Sequence, residues 1–316
     1  VLFSISCFAN VLGLNVSDAF KSAITVYILI PLLVIPQLIL SGVVVNFDKL
    51  NPTITTEDKV PLIGEIMASR WAFEALAVTQ FKSNEFESEF YEFDKAMAKS
   101  EFKTGYLFPR MTDELETIHH LVDGTNEKQK EKLEYTLATI RNELDKELQK
   151  IGRDKFAYMD KLNTNDWNEK VYEETELFLQ KLQAYYNIKY KNANEKKRAI
   201  MANYISTEES QIAYEEKKKK HTNEALNMLV KNMGTEHRIL EHDNHYIQKL
   251  YPIYNDPEFP SGPLDFRAQF YQPTKHFAGT WFATLHFNIA MIWVMSFILL
   301  LTLYFDVFKK ILGIFG

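Results

Sequence analysis

From Ser22 to Phe47 the chain runs for 26 residues without a single Asp, Glu, Lys or Arg. Wound as a helix at 1.5 Å per residue, such a run reaches roughly 39 Å, more than the roughly 30 Å of bilayer hydrocarbon. A soluble domain has little use for a helix that is apolar all round, so the run predicts a membrane protein. Pro31 and Pro36 predict kinks in it, and Gly42 with Asn46 predicts a turn near its end.

Two other segments share this character. Phe277–Phe305 holds no Asp, Glu, Lys or Arg, only His286, and carries Trp281, Trp293 and Tyr304 at positions suited to interface anchors. Val1–Ser17 is uncharged but short, and it lacks the basic start and small-residue cleavage site of a signal peptide. It reads as a helix shortened on its amino-terminal side, turning through Ser17-Asp18-Ala19-Phe20-Lys21 into the next span. The overall 25% of charged residues hides a segregation: 33 of 36 basic and 40 of 42 acidic side chains fall within residues 47–276. That block is net acidic, and its Lys217–Lys220 run follows Glu215-Glu216 without interleaved aromatics, which argues against a nucleic-acid partner. Cys7 is the single cysteine, so the block holds together by packing rather than by disulfides.

Within the block, residues 50–61 read as a loop, and Ile63–Phe81 as one or two short amphipathic helices at the membrane surface. Leu133, Leu137, Ile140, Leu144, Leu148 and Ile151 recur at intervals of three and four, an a/d-like seam. Further helical runs are predicted over Trp167–Tyr190 and from about Glu195 to Met233. Antiparallel helical hairpins are the economical arrangement, an inter-chain coiled coil the alternative. The segment from Pro252 to Pro273 is predicted to be irregular.

His237, Glu241, His242 and His245 form the one ligand-like group, with His237 and Glu241 at helical spacing. Zinc needs three or four converging donors, so no metal is expected there. No G-x-x-x-x-G-K-[ST] phosphate loop and no nucleophile-base pair occurs, so no catalytic residue and no cofactor is assigned to the chain. Gln37, the strongly polar side chain inside the second span, is expected to bond another helix.

Two motifs carry a resemblance. Ser41-Gly42-Val43-Val44-Val45-Asn46 closes the charge-free run, and Arg70-Trp71-Ala72-Phe73-Glu74-Ala75-Leu76 follows, with Thr79-Gln80-Phe81 and then Asn84-Glu85-Phe86 after it. In this order, beside these hydropathy features, the chain resembles the carboxy-terminal part of the transmembrane domain of ABC exporters of the G (White) subfamily, bacterial members above all. The resemblance covers residues 1–95 and 277–316. It implies an all-α membrane protein, a fragment of a six-helix transmembrane domain. Residues 1–47 would be the end of the fourth span, a turn and the fifth span, and 48–95 the surface or re-entrant helices. Residues 96–276 would be a large helical external insertion, with no counterpart in the family, between the last two spans. Residues 277–316 would then be the sixth span and a short cytoplasmic tail. Val43 and Val44 would form a hydrophobic plug, Pro31, Ile35 and Leu38 would face a substrate cavity, and Arg70 with Glu74 would form a polar pair at membrane level.

The resemblance further implies a half-transporter in the plasma or inner membrane that works as a homo- or heterodimer on lipidic or amphipathic substrate. ATP and Mg would be bound by a nucleotide-binding domain elsewhere in the same polypeptide. The rival expectation is a membrane-anchored helical interaction or signalling protein without transport.

Overall fold

The computed structural model describes residues 1–20, 22–47, 50, 58–120, 127–256 and 262–315, the last four by backbone alone. Part of the predicted 50–61 loop, residues 51–57, lies outside the described residues, as does Lys21 of the predicted turn. The chain is mostly helical. It forms two compact units: residues 1–88, 223–230 and 255–316 make the first, and residues 89–222 and 231–254 the second.

The first unit is built on α1 (Leu2–Ala19), α2 (Ala23–Ile39), α3 (Leu62–Glu65) and α4 (Ala68–Lys82). The first unit also takes in α10 (Glu224–Val230), which falls between the two stretches of the second, and α11 (Thr284–Tyr304) and α12 (Val307–Phe315), which follow it. Among the described residues two helices, α1 and α11, are long and apolar enough to cross a membrane, and α2 is a shorter apolar helix. α1 and α11 run side by side in the same direction. Phe3 meets Trp293 near one end, and Asn15 bridges them nearer the other, donating to the Leu299 carbonyl at 2.9 Å while accepting from Thr302 Oγ1 at 2.9 Å. Phe8, Trp71, Phe287 and Ile292 close the seam between α1, α4 and α11.

α2 is shorter than its charge-free run. The helix ends at Ile39, because Ser41 turns its hydroxyl onto the Leu38 carbonyl at 2.7 Å and Gly42 adopts a φ of +78°. A Cβ at Gly42 would lie 2.5 Å from the Phe47 ring and 2.8 Å from that of Phe270, so glycine is required there twice over. No side chain of α2 is buried. The helix is tied to α4 by polar bonds: Ser69 Oγ donates to the Gln37 carbonyl at 2.5 Å, and the Ser69 amide donates to Gln37 Oε1 at 3.3 Å.

The run from Phe277 does not begin as a helix. Its first residues complete an antiparallel hairpin, with Thr274–Phe277 paired to Thr280–Ala283 across an Ala278-Gly279 turn whose residues both have positive φ. That is the geometry a two-residue hairpin turn demands, and it shortens the predicted span to Thr284–Tyr304.

The second unit comprises α5 (Glu87–Phe102), a π-helical turn at Lys103–Leu107, α6 (Phe108–His119), α7 (Glu127–Ile151), α8 (Glu169–Tyr204) and α9 (Glu208–His221). The first two residues of α5 belong to the first unit. The predicted seam is the core of this unit. Leu137, Ile140, Leu144 and Leu148 are buried against Met111, Leu115 and Ile118 of α6 and Val171, Phe178, Leu179 and Leu182 of α8, so the a/d pattern packs within one chain. α8 is a single helix of 36 residues where two runs were predicted. Asn168 caps its start by accepting from the Val171 amide, and neither Gly nor Pro interrupts it. Strands β1 (Ile239–His242) and β2 (His245–Gln248) form a hairpin over an Asp243-Asn244 turn. With the second hairpin, β3 and β4 at residues 274–283, they correct the all-α expectation: among the described residues four short strands stand between the helices.

Candidate functional site

The first unit encloses a set of charged side chains that no apolar core would tolerate unpaired. Arg70 and Glu74 lie one turn apart on the inner face of α4, and both are almost wholly buried. Arg70 Nη1 stands 3.3 Å from Glu74 Oε2, and its Nη2 donates to Glu65 Oε1 at 3.0 Å. Its guanidinium lies flat over the Trp71 ring, 3.8 Å from the centroid. Trp71 in turn donates through Nε1 to the Glu65 carbonyl at 2.8 Å, which fixes α3 against α4.

Glu74 is the hub. Lys275 Nζ donates to its Oε1 at 2.8 Å, the Tyr271 amide to the same oxygen at 3.1 Å, and Asn288 Nδ2 to Oε2 at 2.9 Å. Asn288 also donates to the Trp71 carbonyl at 3.0 Å, so one side chain at the start of α11 grips α4 twice. Burial by itself would raise the Glu74 carboxyl; Lys275 and Arg70 more than offset it and hold the group below its ordinary value, ionised at neutral pH. Burial raises Glu65 above its ordinary value against the pull of Arg70 and Lys275. Two cations and two carboxylates make the set balanced in formal charge. Its geometry can hold α3, α4, the segment before β3 and α11 in one arrangement, but it contains no nucleophile with a base and no open coordination set. Glu65 Oε2, Arg70 Nε, Asn288 Oδ1 and the Tyr271 hydroxyl are buried without a hydrogen-bond partner among the described residues.

The structure therefore brings the predicted pair Arg70 and Glu74 together and adds Glu65, Lys275 and Asn288, which sequence reasoning passed over. A signal existed for two of them: Lys275 is the last cation before the second long charge-free run, and Asn288 is an amide inside it. The predicted cavity residues Pro31, Ile35 and Leu38 are exposed along α2, apart from the charge set. Val43 and Val44 lie just past the helix end and are likewise exposed, at 39% and 67%. His237 and Glu241 are not on a helix: His237 lies in irregular chain before β1 and Glu241 in β1. His242 and His245 face each other across the β1–β2 turn, and among the described residues no group of three or more potential metal ligands occurs. Lys217–Lys220 lie on α9, and all but Lys217 are fully exposed.

Comparison with known proteins shows no family for this chain: no family model, no curated protein and no solved structure matches it.

Proposed function

We propose that the chain is the carboxy-terminal part of the membrane domain of an ATP-driven exporter of the ABC G subfamily, acting as one half of a dimer on lipidic or amphipathic substrate. In this reading α1, α2 and α11 are the last three of six spans, and residues 48–276 lie on the external side. The carboxy terminus is cytoplasmic, and the nucleotide-binding domain that takes up ATP and Mg belongs to the same polypeptide. The observation that carries the reading is α2: it has no buried side chain, yet it is pinned to α4 through Gln37 and Ser69, and α4 is pinned to α11 through the Glu74 set. A largely apolar helix held at one end by polar bonds suits a span that shifts against a partner while its external end stays tied to the fixed part of the fold. Pro31, Ile35 and Leu38 then face substrate, and Val43 and Val44 close the path by packing and dewetting.

Replacing Val43 and Val44 by Ala in the intact transporter, reconstituted in proteoliposomes, tests this. The expected result is raised basal ATPase with poorer coupling to transport. Unchanged ATPase and transport remove the plug. A full-length protein that hydrolyses no ATP removes the exporter and favours the anchored interaction protein, whose business end would be the separately packed second unit.

A further inference from the structure

In the second unit, α8 carries a second pattern on the side turned away from the core. Phe178, Leu182 and Tyr186 face inward and are buried. On the opposite side Leu177, Lys181, Ala184 and Ile188 follow one another at alternating intervals of four and three. Lys170 and Glu174 lead into this row and Lys191 and Glu195 continue it without a break in the alternation, which is the spacing of a coiled-coil seam. Glu174 is half-buried and the other seven are exposed, Leu177 at 44% and Ile188 at 60%. The seam of α7 is consumed by the core of its own chain; this one points outward.

The outward seam is complementary to its own reverse. Laid antiparallel on a second copy, with a two-fold axis level with the Leu182–Gln183 step, it sets Leu177 against Ile188, Glu174 against Lys191 and Lys170 against Glu195, each twice by symmetry. The small Ala184 faces Lys181 at the centre and leaves room for its aliphatic stem. Every charged layer toward the ends then joins opposite signs. A parallel pair does the reverse, because Lys170, Glu174, Lys191 and Glu195 would each face their own like. Within the helix Lys191 Nζ lies 3.8 Å from Glu195 Oε1, and both side chains are mostly exposed, at 76% and 61%, so each keeps open sides for a partner.

We propose that α8 pairs antiparallel with α8 of a second copy of this chain. Leu177 and Ile188 supply the apolar contact, and the Glu174–Lys191 and Lys170–Glu195 pairs fix direction and register. Apolar contact is confined to the middle layers, so the pair forms and parts reversibly. It stands on α8 alone and does not depend on the exporter reading.

Thiol cross-linking of the detergent-solubilised full chain tests the pairing, in a Cys7→Ser background that leaves no other cysteine. Ala184→Cys lies beside the two-fold axis and is expected to join to its own copy through a short bifunctional reagent. Glu174→Cys and Lys191→Cys are expected to cross-link at least about fivefold more when the two variants are mixed than when either is alone, because antiparallel pairing holds like positions roughly 25 Å apart along the helix. Lys191→Glu should reduce the Ala184→Cys product at least about fivefold, and Glu174→Lys added to it should restore the product. Self-linking of Glu174→Cys equal to that of the mixture, undiminished linking with Lys191→Glu, or failure of the added Glu174→Lys to restore it overturns the proposal. Absence of the Ala184→Cys product also overturns it, and a chain still dimeric by light scattering in that case leaves an exporter dimer joined through its spans standing.

Discussion

The two units reverse each other's inside and outside. In the second, apolar side chains fill most of the interior, Leu144 and Ile140 completely, and the buried carboxylates Glu143 and Glu147 are each met by a lysine, Lys146 and Lys103. In the first, Glu74, Lys275, Arg70, Asn288 and Asn15 are buried, while Ile24, Tyr27, Leu32, Phe297 and Ile298 are exposed. Water favours the first pattern and disfavours the second by roughly 25 cal/mol per Å² of exposed apolar surface. The inverted pattern is what a hydrocarbon solvent selects, since lipid leaves polar groups, not apolar ones, in need of a protein partner. The same chain therefore holds its helices in two ways: mainly by apolar burial in the second unit, and in the first by apolar burial joined to polar bonds such as the Asn15 bridge and the Glu74 hub.

The contrast can be broken most severely at Glu74. Glu74→Ala leaves Lys275 and Arg70 buried without their shared carboxylate and is expected to destabilise the first unit by about 3–5 kcal/mol. Adding Lys275→Met to that variant should recover part of the loss, because a buried apolar side chain needs no counter-charge. Thermal unfolding followed in each unit separately reads both effects, and a loss under about 1 kcal/mol would show that the network is ornamental.

Leu144→Ala should cost about 2–5 kcal/mol by leaving a cavity in the second unit, with protease sensitivity rising between residues 127 and 204 and not in α11. Equal sensitivity in both units would deny that they are held separately.

The pH profile separates them again. Lys99 and Lys103 have pKa values lowered to about 7 and about 8 from 10.5, so above about pH 7 the unfolded chain binds more protons than the folded one. Stability of the second unit should then rise from pH 7 to pH 9, by at most about 1.4 kcal/mol per pH unit for each lysine. In the first unit Glu74 is lowered, so its contribution is present above pH 4.5 and is lost as pH falls. Chemical denaturation at a series of pH values checks both signs, and a flat profile for the second unit between pH 7 and pH 9 would contradict the lysine assignment.

The smallest effect is expected at Asn15→Ala, which removes the bonds to Leu299 and Thr302 and should cost about 0.6 kcal/mol, the usual scale for hydrogen bonds between membrane helices. Unfolding in lipid nanodiscs measures it, and a cost above about 2 kcal/mol would contradict the membrane-helix scale.

Much of this was legible in the residue order, because periodicity and charge segregation are local properties. The seam is spaced for burial, and Leu137, Ile140, Leu144 and Leu148 are buried; α1 and α11 carry the first and last charge-free runs, while Ser22–Phe47 yields the shorter α2; Arg70 and Glu74 are one helical turn apart and pair. The runs misjudged in extent were those where a turn residue overrode composition. Gly42 and Ser41 end α2 early, and Ala278-Gly279 folds the start of the last run into a hairpin, because positive φ at those positions is a backbone state that hydropathy does not report. The His237–Glu241 spacing fits a helix as well as it fits an irregular approach to a strand, and only the Asp243-Asn244 turn decides between them.

What the order of residues determined by itself is the separation of the chain into apolar helices and a charge-rich helical block, since solvation energy adds up along a segment whatever that segment touches. Which charges far apart in the sequence neutralise each other was decided by tertiary structure alone. Lys275 reaches Glu74 across 201 residues and Tyr186 reaches Glu147 across 39. The energy of a buried ion pair depends on a distance of a few ångströms and on the dielectric around it, and neither quantity is written in the sequence.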